Sequence, residues 1–197
     1  MEFSEVVRRR RMVRNYDPDR PVPAEVRDRI LANALRAPSA GFTQGWAFLV
    51  LESASDRDRF WAATSPESPT GWLPRMRRAP LIVVSLSHRD AYLDRYAEAD
   101  KGWTDRDEAR WPVPYWHIDT GFASLTMLLT VVDEGLGSCF FGIQPDRFDS
   151  FRQEFGVPDA YTPIGALTIG YRESDPMSPS LRRGHRPAEE VLHFGSW

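Results

Sequence analysis

The spacing of apolar side chains divides the chain into short periodic blocks. Phe3, Val6, Val7 and Arg10 fall at i, i+3, i+4 and i+7, which predicts a short helix over residues 3–11 with one apolar edge. The run Tyr16-Asp17-Pro18-Asp19 breaks it. Pro23 suits the first turn of a second helix, whose Val26, Ile30, Ala34 and Leu31, Leu35 make an amphipathic stripe that Pro38 terminates. Ser39-Ala40-Gly41 is therefore a loop. Residues 46–51 and 81–86 are rich in strand formers and short enough for buried strands, and the pattern predicts both in the centre of a sheet.

Residues 116–135 are apolar on nearly every face. Ile118, Phe122, Leu125, Leu129 and Val132 make one stripe, and Met127, Leu128 and Val131 another, so the predicted helix is covered on both sides. In so small a chain the second cover is expected from another subunit, which predicts a dimer. Gly135-Leu136-Gly137 ends this helix and releases a short strand over 138–141. Phe148, Phe151 and Phe155 mark a further short helix, and residues 162–171 a last strand. Residues 65–74, rich in Ser, Pro and Gly, and residues 101–114, which combine charges with Trp103 and Trp111, read as ordered loops or lids. Residues 174–197 hold three prolines and no helical period, then end on the apolar run Val191-Leu192-His193-Phe194-Gly195-Ser196-Trp197. Such a tail is expected to act as an arm on a partner chain. No repeat or second domain interrupts residues 1–197.

Composition narrows the chemistry. At 197 residues the chain can bury a core without a covalent or metal staple, and the single cysteine, Cys139, excludes an internal disulfide framework and a Cys-rich metal site. His88, His117, His185 and His193 never stand at i, i+4, and no metal is expected. No stretch approaches the roughly 20 apolar residues of a membrane span, and the N-terminus lacks the apolar core of a secretory signal, so a cytoplasmic protein without membrane contact is expected. A net charge of -3 argues against a nucleic-acid partner. Phosphate-loop, dinucleotide-fold and hydrolase-elbow signatures are absent. His117 and Asp119, two residues apart on a helix, cannot face each other as an acid-base pair.

Three segments share a chemistry. They are Arg10-Arg11-Met12-Val13-Arg14, then Pro38-Ser39-Ala40-Gly41-Phe42-Thr43-Gln44-Gly45-Trp46, then Arg182-Arg183-Gly184-His185-Arg186-Pro187. Arginine suits a phosphate because its planar fork donates paired, charge-assisted hydrogen bonds. Ser39, Ala40 and Gly41 offer backbone amides to a flat heterocycle, and Gln44 both donates and accepts, as a uracil-like ring edge requires. Taken singly, each segment has a plainer reading. Four consecutive arginines, Arg8-Arg9-Arg10-Arg11, suit a solvated helix end; Pro38-Ser39 is a helix stop; Phe140-Phe141 is core; Trp72, Trp103, Trp111 and Trp116 suit packing as well as a substrate cage.

In order and spacing, these motifs resemble the nitroreductase family of flavin enzymes. The resemblance rests on R-R-x-x-R-x-F/Y over residues 10–16, P-S-x-x-x-x-Q-x-W over 38–46, the glycine-bounded Gly135-Leu136-Gly137-Ser138-Cys139-Phe140-Phe141-Gly142, and the ending Arg186-Pro187-Ala188-Glu189-Glu190-Val191, similar to R-P-L-E-E-V. It implies an α+β fold, a mostly antiparallel sheet wrapped by helices, in an interlocked homodimer with a C-terminal arm on the partner. It further implies FMN at the interface and NAD(P)H as co-substrate, with ping-pong transfer to a nitroaromatic, quinone or flavin-like small-molecule acceptor. No catalytic side chain is implied, because flavin N5 carries the chemistry. Arg10, Arg11, Met12 and Arg14 would contact the flavin, with Arg183 and Arg186 as further phosphate partners. Pro38, Ser39, Ala40, Gly41 and Gln44 would line the ring from the other subunit. Phe140, Phe141 and Gly142 would bring a backbone N–H near N5, Arg75 would join the arginines that favour the anionic reduced ring, and Phe42 and Trp111 would line an apolar substrate pocket. The chain departs from the family pattern at Met12, Phe42 and Gly45, where a hydroxyl residue, asparagine and proline are usual. A flavin or deazaflavin binding or storage protein of the same fold, with little turnover, stays open.

Overall fold

Alternation lets one strand serve two cores. In the strand Leu81–His88, Leu81 and Val83 face one layer of helices while Ile82, Val84 and Leu86 face another. The computed structural model describes residues 1–66 and 71–197. Its strands β1 (Trp46–Leu51), β2 (Leu81–His88), β3 (Gly137–Phe141) and β4 (Tyr161–Gly170) form one antiparallel sheet in the order β1-β2-β4-β3. The described residues form seven α-helices: α1 (Phe3–Arg9), α2 (Ala24–Ala34), α3 (Ala54–Thr64), α4 (Leu73–Met76), α5 (Arg89–Ala97), α6 (Tyr115–Asp133) and α7 (Phe148–Phe155). Ile30 of α2 and Ala123, Met127 and Val131 of α6 pack on Leu81, Val83, Leu167 and Ile169. On the opposite face Phe60 and Trp61 of α3 and Phe151 of α7 pack on Ile82, Val84, Cys139 and Ala166. The architecture is α+β, with helices on both faces of an antiparallel sheet.

Most predicted blocks fall within a residue or two of these elements. One placement differs: strand 46–51 is not central. Among the described residues β1 pairs only with β2 and is the sheet's outer strand, and five of its six residues are half-buried. Its apolar run reflects side chains packed on both cores through one neighbour, which composition does not separate from burial between two neighbours.

The apolar pattern also passes over α3 and α5. A polar signal marks α3, since Ser53 accepts from the Asp56 N–H at 3.0 Å and caps the helix; His88 Nδ1 does the same for the Ala91 N–H at 3.0 Å ahead of α5. In the 65–74 segment, residues 67–70 lie outside the described residues, and α4 begins at Leu73. In the 101–114 segment a 3-10 turn, Glu108–Arg110, sits among irregular backbone.

The described surface of α6 carries Phe122 and Leu125 at 45% and 46% exposure, on the stripe turned away from the sheet. Residues 181–197 are exposed throughout, Phe194 at 91% and Trp197 at 101%. No helix among the described residues is long and apolar enough to cross a membrane.

Gly165 of β4 is where a ring meets backbone. A Cβ there would come within 2.4 Å of the Phe140 ring, so only glycine lets β3 seat its aromatic side chain. Gly165→Ala is expected to lose about 1–3 kcal/mol, the usual cost of overpacking, read as a lower urea midpoint at unchanged slope.

Candidate functional site

After α1 the chain turns extended and runs beside β3. Met12 bridges Ser138 in parallel, and the Val13 N–H donates to the Ser138 carbonyl at 2.8 Å. Two anchors set this register. The fully buried Tyr16 hydroxyl donates to the Val13 carbonyl at 2.6 Å and lies 2.9 Å from Thr168 Oγ1 in β4. Burial pushes its phenol well above the usual range, so it stays a neutral donor. Residues 171–175 then close over the segment: Asp17 N–H donates to the Tyr171 carbonyl at 2.9 Å, Glu173 N–H to the Asn15 carbonyl at 3.0 Å, and Arg14 N–H to Asp175 Oδ2 at 2.8 Å. The two ends of the chain meet here.

This framework holds Arg10, Arg11 and Arg14 along the β3 edge. Among the described residues none of their guanidinium groups forms an ion pair, although Arg9 beside them engages Glu5 at 3.0 Å. Arg11 and Val13 line a small cleft with Leu136, Gly137 and Arg172. Met12 points the other way, with Sδ 3.4 Å from the Phe140 N–H. The departure from a hydroxyl at position 12 thus puts a thioether against the strand whose amide the resemblance assigns to flavin N5. Cys139, between these residues, is buried with its thiol pushed up to about 11 by desolvation, which removes it as a nucleophile.

Beyond β3 a cavity of about 300 Å³ opens. Phe141, Gly142, Ile143 and Gln144 form one wall; Trp61, Pro66, Trp72 and Leu73 form the other. Trp61 stacks on Phe141 at 5.6 Å with 13° between planes, and Trp72 meets Phe141 edge-on at 6.3 Å. An arginine row and an aromatic cavity therefore follow one another along a single strand edge. Arg75 stands on α4, the helix that contributes Leu73 to the cavity.

The loop over residues 38–45 lies elsewhere. It feeds β1 and is tied to α5 and α6, with the His88 N–H donating to the Gly45 carbonyl at 2.9 Å. β1 and β3 are opposite edges of the sheet, three strand spacings or about 14 Å apart. One chain does not bring Pro38, Ser39, Ala40, Gly41 and Gln44 together with Arg10, Arg11 and Arg14. Within the loop, Ser39 Oγ accepts from the Gln44 N–H at 2.9 Å, and Phe42 projects outward at 75% exposure.

Trp111 sits within an aromatic cluster, 4.5 Å from Tyr96, 5.5 Å from Trp103 and 6.2 Å from Trp116. Arg183 ends a 3-10 turn in the exposed tail, and Arg186 pairs with Glu190 at 3.2 Å. His117 and Asp119 take separate partners: His117 Nδ1 shares a hydrogen bond with Ser87 Oγ at 2.8 Å, while Asp119 Oδ2 accepts from Tyr92 and from the Ala40 N–H, both at 2.8 Å. Asp119 was not among the residues singled out by motif. Its only signal in the sequence is a carboxylate inside an otherwise apolar helix, where a charge needs a partner.

The model of the nitroreductase family matches residues 7–171, which take in the arginine row, the 38–45 loop, the cavity and all four strands. The chain belongs to the nitroreductase family. A Bacillus subtilis relative, provisionally named an NAD(P)H nitroreductase, is 38% identical over 185 residues, covering 86% of this chain and 88% of its own length. A Methanothermobacter thermautotrophicus relative, provisionally named an NADH dehydrogenase/NAD(P)H nitroreductase, is 29% identical over 201 residues, covering 100% of this chain and 88% of its own. Among solved structures, a provisionally named nitroreductase from Exiguobacterium sibiricum in complex with FMN superposes with a TM-score of 0.75 at 21% identity, over 98% of this chain and 97% of that one. A nitroreductase family protein from Clostridium difficile gives 0.74 at 24% identity over the whole of both chains. At these identities the structures establish a shared nitroreductase fold.

Two measurements probe the framework of this family member. Tyr16→Phe deletes the hydroxyl that ties the arginine segment to β4, leaving a buried carbonyl without its donor. The expected loss is about 1–3 kcal/mol by urea denaturation. Burial holds the His117 imidazole below its usual range, so the folded chain takes up that proton less readily than the unfolded one. The unfolded chain gains that proton below about pH 6.5; the His117 contribution is therefore full above that value and declines as pH falls through it. Urea midpoints compared between about pH 7.5 and about pH 5.5 should fall less steeply in His117→Asn than in the wild type.

Proposed function

We propose that the protein is an FMN-dependent NAD(P)H oxidoreductase acting as a homodimer. The observation that carries this reading is the division of the site between opposite sheet edges. Arginines whose guanidinium groups form no ion pair among the described residues, together with an aromatic cavity, occupy one edge, and a backbone-rich loop the other, so a second copy is needed to complete a site containing all three. The exposed stripe of α6, the unpaired edge of β1 and the apolar tail supply surface for that association, with residues 174–197 embracing the partner.

The donor set fits FMN. Arg10, Arg11 and Arg14, whose guanidinium groups form no ion pair among the described residues, suit a dianionic phosphate, and Arg183 and Arg186 would join them from a tail. The cavity walled by Phe141 and Trp72 suits a flat ring, and its volume of about 300 Å³ lies at the small end of ligand pockets. FMN held by these residues would supply hydride acceptance from NAD(P)H and, in a second half-reaction, electron delivery to a nitroaromatic, quinone or flavin-like acceptor. The chain's own work is positional. The β3 register would bring the Phe141 and Gly142 backbone to the ring, Gly41 of the partner subunit would present its amide to it while the Ala40 amide is held by Asp119, and Phe42 would keep water from the acceptor side.

A yellow protein as purified, bleached by NADPH or NADH without oxygen and recoloured by a quinone, is the expected result. Arg10→Ala and Arg14→Ala should each raise the Kd for FMN by roughly tenfold or more, the worth of a charge-assisted contact. A protein that holds FMN yet is not bleached by either nicotinamide would instead be the binding or storage form of this fold. A monomer by sedimentation with FMN bound would overturn the shared site.

A further inference from the structure

Loop 39–44 adopts a shape its own sequence disfavours. Gly41, Phe42 and Gln44 have φ of 61°, 54° and 54°, a region that residues with a Cβ occupy when their surroundings impose it. Internal hydrogen bonds, from the Gln44 N–H to Ser39 Oγ at 2.9 Å and from Thr43 Oγ1 to the Ala40 carbonyl at 2.5 Å, close the loop on itself. They do not fix where it stands relative to the sheet.

Three contacts from outside do. Asp119, on α6 and 2% exposed, accepts the Ala40 N–H and the Tyr92 hydroxyl on the same oxygen, Oδ2, both at 2.8 Å. Arg95 Nε donates to the Gly41 carbonyl at 3.0 Å, and the same guanidinium grips Asp100 through Nη1 and Nη2 at 2.7 and 2.8 Å. The rings of α5 fill the space beneath: a Cβ on Gly41 would lie 2.8 Å from Tyr96, and one on Gly45 2.4 Å from Tyr92. Tyr96 in turn rests on Trp111 and Trp103 at 4.5 and 5.0 Å.

A carboxylate buried this deeply, with neutral donors and no ion pair among the described residues, is expensive to keep. A plain apolar helix face would pack α6 without it. What the charge adds is a strong, directional acceptor aimed at one backbone amide, that of the residue just before the left-handed Gly41-Phe42 pair. We propose that Asp119 is the positioning residue of loop 39–44, with α5 and the 101–116 aromatic segment as its brace. Asp119 sets the height of Ala40 and Gly41 above the sheet edge, and Tyr92 orients the carboxylate. The tryptophans of the 101–116 segment accordingly support the loop from behind and do not form a cage around substrate. That the loop is presented to a flavin ring rests on the functional reading above; the clamp itself rests on this geometry.

The experiment uses the full chain and FMN as probe. Asp119→Asn preserves shape but removes the charge. Amide hydrogen exchange of residues 38–46 should speed up by about tenfold or more, and the Kd for FMN, from quenching of flavin fluorescence, should rise by roughly tenfold. Tyr92→Phe, which deletes only the orienting hydroxyl, should move both readouts the same way by a smaller factor, and it carries the test if Asp119→Asn does not fold. Ser150→Ala is the control, since Ser150 Oγ donates to the Ala63 carbonyl at 2.8 Å between α7 and α3, away from this loop. It should lower Tm and leave loop exchange and FMN affinity unchanged. Unchanged exchange and affinity in Asp119→Asn would overturn the proposal, as would an equal loss of affinity in Ser150→Ala. If the wild type takes up no FMN, the flavin reading fails by itself, while exchange in the loop still decides the clamp.

Discussion

Two interior strands, β2 and β4, carry side chains that alternate between two helix layers, and the rest of the molecule is built outward from them. Because both faces of these strands are buried, their register cannot slip by one residue without turning each core inside out. That fixed centre leaves β1 and β3 as the sheet's two edges. Each edge carries one part of the proposed site: the loop before β1, the arginine row and cavity along β3. The separation of about 14 Å between them follows from strand spacing, and no side chain spans it with the geometry a ring site requires.

Both edges are held by buried polar groups that have found partners. On the β3 side, Tyr16 binds the arginine segment to β4, and residues 171–175 zip over it, so a run of like charges that would repel and fray in isolation is held extended. On the β1 side, Asp119, Tyr92 and Arg95 keep a left-handed loop in place. The sheet-facing side of α6 shows the same economy: Ser85 and Ser87, polar residues in an apolar strand, meet Ser124 and His117 at 2.9 and 2.8 Å. In each case an apolar framework brings the groups together and a few directed hydrogen bonds fix their angles.

The family motifs were legible because they sit in short contiguous runs. Residues 10–16, 38–46 and 135–142 each carry their meaning locally, and the periodicity of residues 116–135 announces both a helix and an uncovered side. The helices α3 and α5 were not legible in the same way, since their apolar residues are few and set among charged ones, as Phe60-Trp61 in α3 and Tyr92, Leu93 and Tyr96 in α5. The outer position of β1 was hidden for a related reason: an apolar run reports burial and not the number of neighbours. Asp119 cannot face His117 from two residues along the same helix, so local spacing gives it no partner. Its partners, Ala40 and Tyr92, lie 79 and 27 residues away.

By itself the sequence determined the α+β class, most of the helix and strand blocks, the family and the residue types available to hold a phosphate and a ring, because these depend on local spacing and composition. The tertiary structure alone decided which strands are edges, that the arginine row and the 38–45 loop stand apart in one chain, and that Trp103 and Trp111 pack on Tyr96 of α5. Those facts are set by contacts between residues far apart in the chain, and only folding makes them neighbours.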